Sequence, residues 1–287
     1  MFASIVSGMA LGAVYALVAV GYNLTWLTGK AINFAQAGFA VAGMFLAVWC
    51  YGQGLSPVAV FAILVAAGGL VATVEYVVAL RPLRGRGEHA ELITTLGFST
   101  IIQGVILLFV SDDALRVPFF GPEQLIDVPG GRIAPVELVL VAVAVVVGLG
   151  AHLWATRTRS GLAALAQSED RDAALVLGIR PERISFVVFV VSGVLGSVMA
   201  PLAGPKTFAA VALVSLLAIK GFVVLALGGV GSLLGALVGG LAIGVVEAVV
   251  VRLTDAAFQN IAVFGIFIVT LLVRPRGLFG ERKERYV

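Results

Sequence analysis

Nine long apolar runs constrain this chain more than any other feature of its sequence. A helix of about 20 apolar residues crosses the hydrocarbon core of a bilayer, and the runs have about that length. Strands of a membrane barrel would alternate apolar and polar residues, whereas these runs are continuous. The runs fall at 4–27, 34–51, 57–80, 91–110, 134–154, 184–204, 209–228, 232–251 and 257–273. We therefore predict an all-α polytopic membrane helix bundle of eight or nine transmembrane segments, formed by residues 1–287 as a single domain.

The number of segments depends on the run 209–228, which carries Lys220 and ends among Gly228, Gly229 and Gly231. We expect this run to be the one that is broken or re-entrant, an arrangement that is tolerated only inside protein or beside a cavity. The composition agrees with the membrane class, since 60% of the 287 residues are hydrophobic and only 12% are charged. A soluble domain has about 25% charged residues.

Basic and acidic residues are separated along the chain, and this separation predicts an orientation. Lys and Arg are in excess on the cytoplasmic side of membrane proteins. Arginines cluster at 81–86, 157–183 and 274–285, while most of the charged residues in the segment 111–137 are acidic. We therefore expect the N-terminus to lie outside, the C-terminus to lie in the cytoplasm, and residues 274–287 to form a basic cytoplasmic tail.

A polar segment, 156–183, interrupts the apolar runs with five arginines and four acidic residues. The residues after Ser160 favour a short helix. We expect a second short helix with Ser168 as its N-cap, acidic residues in its first turn, and Gly178 after its end. Pro181 suits the start of the next helix. Two ordered helices outside the membrane, on the basic side of the bundle, indicate a docking element.

Polar side chains inside the apolar runs are the candidates for a solute pathway, because each is costly in a membrane unless it pairs or faces water. Asn33 and Gln36, three residues apart on one helical face, are the strongest candidates, and Asn23 is a further one. Lys220 and Glu247 either pair to hold helices together or line the pathway. The residues leave both interpretations open.

Two further features concern helix packing and the membrane interface. Glycines recur every four residues at Gly8 and Gly12 and again within 231–244, a spacing that lets membrane helices approach closely. Glu75 lies six residues before Arg81, about 9 Å of helix rise. Its carboxylate either reaches toward the cytoplasmic interface or has a role within the membrane, and the residues leave this open.

The sequence lacks the patterns of an enzyme. The nearest approach to a phosphate-binding loop, Gly29-Lys30, has neither the earlier glycine nor the following Ser or Thr. No Ser-His-Asp, HExxH or paired-carboxylate spacing lies on one helix face, and the single cysteine, Cys50, excludes a cysteine metal cluster. We predict no catalytic residue, no metal site and no cofactor in this chain, so that ATP would act on another polypeptide.

Four segments of the chain, in order, carry a similarity to a known family. The first runs from Gly12 to Ala47 and contains AINFAQAGFA, and the second is RPLRGR followed by LITTLGFSTIIQ. The third is TRSGLAALAQSEDRDAALVLGIRPERI, and the fourth is IKGFVVLALGGVGSLLGALVGGLAIGVVEA. Together they resemble the permeases of branched-chain amino-acid ABC importers, the LivH-like family. That family commonly has His-Gly-Glu where this chain has Gln36, Ala37 and Gly38.

The resemblance implies a type II-like ABC importer transmembrane domain in the cell inner membrane, with branched-chain or related amino acids as its solutes. It implies as partners a second related permease, two cytoplasmic ATPase subunits that hold ATP, and an extracytoplasmic binding protein, with membrane lipid around them and no nucleic acid. The segment matching 158–183 is the ATPase coupling region in that family. The residues that we expect at this contact are Ser168, Glu169, Asp170, Arg171, Asp172 and Gly178.

Two alternative functions remain open. Relatives of similar layout carry urea, amides or other small solutes, and the departure at Gln36 keeps these solutes among the alternatives. A self-contained secondary carrier or channel would place several ionisable residues at mid-membrane. This chain offers only Lys220 and Glu247 for that purpose.

Overall fold

The computed structural model describes residues 1–83, 88–110, 113–122, 124–128 and 131–280. The helices are α1 (Phe2–Gly29), α2 (Ala35–Gly52), α3 (Pro57–Glu75), α4 (Glu88–Phe109), α5 (Pro135–Arg157), α6 (Arg159–Glu169), α7 (Arg171–Val176), α8 (Pro181–Val198), α9 (Ala200–Thr207), α10 (Ala212–Gly228), α11 (Leu233–Leu253) and α12 (Phe258–Val273). Helix α3 continues through a π-helical turn, Tyr76–Leu80, and a 3₁₀ turn, Arg81–Leu83. One short hairpin pairs β1 (Ile126–Val128) with β2 (Gly131–Ile133) in antiparallel register.

Seven helices in the described ranges are long and apolar enough to cross a membrane, namely α1, α2, α3, α4, α5, α8 and α11. Two shorter apolar helices, α10 and α12, occupy the remaining predicted runs. Every apolar run of the sequence is therefore helical over most of its length. The prediction of an all-α membrane bundle with eight or nine segments agrees with this arrangement.

The interruption expected in the run 209–228 lies elsewhere. Helix α10 is continuous and holds Lys220 within it. The run 184–204 is divided instead, between α8 and α9. Pro201 lies just after this division, and its missing N–H cannot extend the preceding helix.

Helix α1 lies at the centre of the bundle and is buried along most of its length. Its most extensive contact is with α11, and the two helices meet at glycines. A Cβ atom at Gly244 would lie closer than 3.0 Å to backbone atoms of Gly8 and Gly12, and one at Gly240 would meet the backbone of Ala16. Only residues without side chains permit this approach, as the spacing of the glycines predicts.

Hydrogen bonds assign the loops to two opposite ends of the bundle. At one end, Gln167 of α6 donates to the carbonyl of Thr28 at 3.0 Å, and the N–H of Leu278 donates to the carbonyl of Leu227 at 2.8 Å. This end holds the arginine-rich segments together with α6 and α7. At the other end, Leu115 and Ala209 form a backbone bridge. The charged positions Arg84, Arg86, Asp112 and Glu123 and the tail residues 281–287 lie outside the described residues.

Candidate substrate pathway and coupling helices

Asn33 lies in the short connection between α1 and α2, beside the end of α3. Its Oδ1 accepts a hydrogen bond from the N–H of Ala35 at 2.9 Å, which satisfies one of the free donors at the start of α2. Its Nδ2 donates to Oε2 of Glu75 at 3.1 Å. Both residues are buried, with exposures of 1% and 0%. The pair therefore joins the α1–α2 connection to α3 inside the bundle.

Of the two possibilities that the sequence left open for Glu75, the structure favours a place within the bundle, because its carboxylate is buried against Asn33. Its second oxygen, Oε1, has no hydrogen-bond partner among the described residues. Helix α3 changes to a π-helical turn directly after Glu75, and such turns occur frequently at functional sites. The sequence predicted no role for this residue in the pathway, since its partner comes from a connection 42 residues earlier in the chain.

Gln36 lies where α2 packs between α1 and α8. Its Nε2 donates to the carbonyl of Ser192 at 2.9 Å, and its Oε1 accepts from the Ser192 hydroxyl at 2.9 Å. The same hydroxyl lies 3.1 Å from the carbonyl oxygen of Gly21. The fully buried amide of Gln36 therefore connects three helices.

Asn23 binds the turn between α10 and α11. Its Oδ1 accepts from the N–H of Gly231 at 2.6 Å, and its Nδ2 donates to the carbonyl of Ser232 at 3.1 Å. Gly229 and Gly231 have φ angles of 99° and 92°, which glycine adopts without strain. The side chain of Asn23 thus holds this turn against α1.

Lys220 and Glu247 form the ion pair that the sequence left open. The Lys220 Nζ lies 2.6 Å from Oε1 of Glu247 and 3.2 Å from the hydroxyl of Tyr15. Tyr15 and Gln259 donate to Oε2 of Glu247 at 3.1 and 2.6 Å. The lysine and glutamate side chains are only 5% and 2% exposed. The two charges therefore balance each other, and side chains from α1 and α12 complete their hydrogen bonds. A role of this pair in the pathway stays a prediction.

A cleft opens at the end of the bundle that holds α6 and α7, and we call it the Asn33 cleft. Its lining includes Asn33, Ile32, Leu80, Phe189 and, from α7, Arg171. One of the predicted pathway residues and one of the predicted coupling residues therefore lie at the same cleft. The other predicted pathway residues bind neighbouring helices or turns, as described above.

The polar segment of the sequence forms two short helices, α6 and α7, as predicted. The N-cap of α7 is Asp170, whose Oδ1 accepts from the N–H groups of Asp172 and Ala173 at 3.0 and 2.9 Å. The prediction of Ser168 as this cap is wrong, because α6 extends past Ser168 and the serine hydroxyl donates within that helix. Gly178 follows α7 with a φ angle of 79°, as expected for the residue after a helix end.

Helix α7 is charged at its start and apolar at its end. Arg171 lies 4.0 Å from Glu182 of α8. At the other end, Leu175, Val176 and Leu177 are 53%, 88% and 76% exposed. These residues lie outside the apolar runs, so they form an apolar patch of the kind that marks interaction sites. The charged residues Glu169, Asp170, Arg171 and Asp172 are also exposed.

Nearly the whole chain is similar to one described family of transport proteins. The family described as branched-chain amino acid transport system / permease component matches residues 4–273. The chain belongs to this family. The permease is 30% identical, over 291 residues, to the high-affinity branched-chain amino acid transport system permease protein BraD of Pseudomonas aeruginosa, covering 96% of this chain and 95% of BraD.

A second relative agrees with this assignment, and a solved structure shares the fold. The high-affinity branched-chain amino acid transport system permease protein LivH of Escherichia coli K12 is 26% identical to this permease over 289 residues, covering 96% of this chain and 94% of LivH. Among solved structures, PsaBC from Streptococcus pneumoniae in complex with Fab is similar with a TM-score of 0.54 and 12% identity, covering 96% of this chain and 91% of that chain. At this identity the likeness concerns the fold alone. The permease is thus a multi-pass membrane protein with a helix arrangement that recurs in a solved structure.

Proposed function

We propose that this permease is the transmembrane subunit through which an ABC importer moves branched-chain or closely related amino acids into the cytoplasm. The observation that carries the proposal is the family match over residues 4–273, with relatives of that named activity covered over nearly their full length. The proposed partners are a second related permease, two cytoplasmic ATPase subunits that bind ATP, and an extracytoplasmic binding protein. The chain itself would hold no cofactor.

The proposed orientation places α6 and α7 in the cytoplasm, with the N-terminus outside and the C-terminus inside. The bundle end that carries α6 and α7 also carries Arg157, Arg159, Arg180 and Arg183. The opposite end carries Asp127 paired with Arg132, and Glu137 paired with Lys206. A larger number of Lys and Arg residues marks the cytoplasmic side, which supports this orientation.

The proposed ATPase contact is the exposed surface of α6 and α7. An ATPase subunit would cover the apolar tip of α7, Leu175 to Leu177. The charged residues at the start of the helix would orient that subunit. Asp170 caps the helix and Gly178 ends it, so these two residues act on the contact through the shape of α7. Ser168, Glu169, Arg171 and Asp172 complete the proposed coupling surface.

The proposed solute pathway includes Asn33 at the wall of the Asn33 cleft. Gln36 and Asn23 support it by holding α8 and the α10–α11 turn against α1 and α2. Lys220 and Glu247 join α10 to α11, and Tyr15 and Gln259 connect α1 and α12 to the same pair. Such satisfied buried groups confer rigidity on the parts of the bundle that frame a moving pathway.

Two measurements test the proposed function. The first is purification of the permease from its native membrane in a mild detergent, followed by mass spectrometry of the proteins that come with it. We expect two ATPase subunits and a related permease. The second is uptake of radiolabelled leucine, isoleucine and valine by proteoliposomes of that complex with its binding protein, with and without internal ATP.

The outcomes separate the alternative functions. Import of these amino acids that requires ATP supports the proposal. A lone homo-oligomer that accumulates solute with an ion gradient and without ATP would show that the permease is a secondary carrier and not part of an ABC importer. ATP-driven import of urea or an amide, with no import of amino acids, would retain the importer and overturn its proposed solutes.

A further inference from the structure

We propose that Glu75 receives the cationic amino group of the transported amino acid at the Asn33 cleft. The inference rests on the proposed function and deepens it, because it names the group that recognises the solute inside the permease. The observation that carries it is a membrane-embedded carboxylate with one oxygen bound to Asn33 and the other oxygen without a partner among the described residues.

The other buried carboxylates of the described chain show why Glu75 differs. Glu247 is paired with Lys220, and Glu137 is paired with Lys206. Glu75 has no cationic partner in the part of the chain that the structure describes. A buried carboxylate without a counter-charge is costly, and such a residue within a membrane segment is by default a candidate for function. A cationic ligand would provide the missing charge.

The surroundings of Glu75 define the class of that ligand. The adjacent cleft is lined by apolar side chains, by the amide of Asn33, and by hydroxyl-bearing and charged side chains. The apolar ones are Ile32, Leu80 and Phe189, and the polar ones besides Asn33 are Thr25, Thr28, Tyr76, Ser185, Glu91 and Arg171. An amine with a branched aliphatic chain suits the apolar part of this lining, because that chain contacts the apolar side chains while its ammonium group meets the Asn33–Glu75 pair. Charge-assisted hydrogen bonds between ammonium and carboxylate are about twice as strong as neutral ones.

Access from the cleft to Glu75 requires one local movement. Asn33 lines the cleft and donates a hydrogen bond to Glu75, whereas Glu75 itself is fully buried. Rotation of Asn33 exposes the carboxylate, and an ammonium group then replaces the amide as the donor to Oε2 or bonds to the free Oε1. The π-helical turn that follows Glu75 places this exchange where the helix departs from regular α-helical geometry.

The test separates the two charged groups of leucine. The complete purified transporter, in lipid nanodiscs without its binding protein, is assayed for bound radiolabelled leucine in competition with isoamylamine or 4-methylpentanoate. The first competitor retains the amino group of leucine without its carboxylate, and the second retains the carboxylate without the amino group. We expect isoamylamine to compete better than 4-methylpentanoate with the wild-type protein. Equal or stronger competition by the acid would overturn the proposal without any variant.

The variant Glu75→Gln keeps an oxygen to accept the Asn33 hydrogen bond and removes the charge. We expect binding of isoamylamine and leucine to weaken about tenfold or more, as for loss of a charged hydrogen bond, while binding of 4-methylpentanoate stays unchanged. The matched control is Asp255→Asn, which removes an exposed carboxylate but retains the acceptor for the N–H of Ala257. Unchanged amine binding in assembled Glu75→Gln would assign Glu75 a purely structural role.

Leucine uptake by the wild-type complex distinguishes a failure of this inference from a failure of the proposed function. Wild-type import of leucine together with unaltered amine competition in Glu75→Gln would remove only the role of Glu75. Absence of any branched-chain amino-acid import or leucine binding by the wild-type complex would remove both.

Discussion

The buried polar residues of this permease show how individual side chains are stabilised inside a membrane protein. At Lys220 and Glu247, four side chains from four helices satisfy two opposite charges. At Gln36 a neutral amide joins three helices through Ser192. At Glu75 the satisfaction is incomplete. Glu75 thus differs from the other buried carboxylates in having one oxygen without a partner among the described residues, which is the observation behind the proposed contact with the solute.

The Lys220–Glu247 pair provides a prediction at this scale. The variant Lys220→Met leaves Glu247 as an unpaired buried charge, so we expect it to lower the free energy of unfolding by about 3–5 kcal/mol. The double variant Lys220→Met/Glu247→Gln removes both charges and should recover most of that loss. Thermal unfolding of the purified protein measures both effects. Additive losses in the double variant would contradict the pairing.

Uptake by the double variant tests the role of the pair in the pathway. If the pair only joins helices, the recovered double variant should import leucine at a rate close to that of the wild type. A stable double variant that imports no leucine would place Lys220 and Glu247 in the pathway.

At the scale of elements, the contact between α1 and α11 depends on the absence of side chains. We predict that Gly244→Ala destabilises the protein by about 1–3 kcal/mol, as overpacked substitutions do, because the added Cβ meets backbone atoms of Gly8 and Gly12. The matched control is Gly104→Ala in α4, where a Cβ would have no heavy atom within 4 Å. Thermal unfolding should show a lower Tm for Gly244→Ala alone. Equal effects of the two substitutions would contradict the close crossing.

The tip of α7 gives a second prediction for an element. Replacing both Val176 and Leu177 by Asn should reduce the recovery of ATPase subunits with the permease and reduce ATP-driven uptake, because full burial of a Val or Leu side chain contributes about 1.5–3 kcal/mol. Membrane insertion should be unaffected, since neither residue lies in an apolar run. The control is Leu125→Asn, which changes an exposed apolar residue at the opposite end. Unchanged recovery of ATPase subunits in the double variant would show that the ATPase contact does not involve the tip of α7.

Asp170 acts on the same contact through helix geometry. Asp170→Ala removes the N-cap of α7, worth about 1 kcal/mol, whereas Asp170→Asn preserves an oxygen for the same bonds. We therefore expect the alanine variant to weaken ATPase recovery and the asparagine variant to resemble the wild type. A loss of recovery in both variants would indicate direct contact through the charge.

At the scale of the whole molecule, the two ends of the bundle should face different compartments. The native Cys50 is buried, so a Cys50→Ala background allows single cysteines to be placed at Arg116 and at Val176. We expect a membrane-impermeant maleimide to label the cysteine at position 116 in intact spheroplasts and the one at 176 only after permeabilisation. Labelling in the reverse order would invert the proposed orientation.

The apolar runs by themselves determined the class of this protein and the approximate number of its membrane helices. The free energy of moving about 20 apolar residues into a bilayer is local to each run and does not depend on its partners. The positions of α6 and α7 also followed from local sequence signals. The N-cap of α7, however, is Asp170 and not the predicted Ser168. The family followed from segments in order along the chain.

Only the tertiary structure decided which buried polar groups meet. Gln36 and Ser192 are 156 residues apart in the chain, and the Asn33–Glu75 pair joins a helix connection to a different helix. These contacts depend on the crossing of helices, which is set by close backbone packing at positions such as Gly244 and not by periodicity within one run. The unpartnered oxygen of Glu75 is therefore visible only when all the surrounding helices are in place.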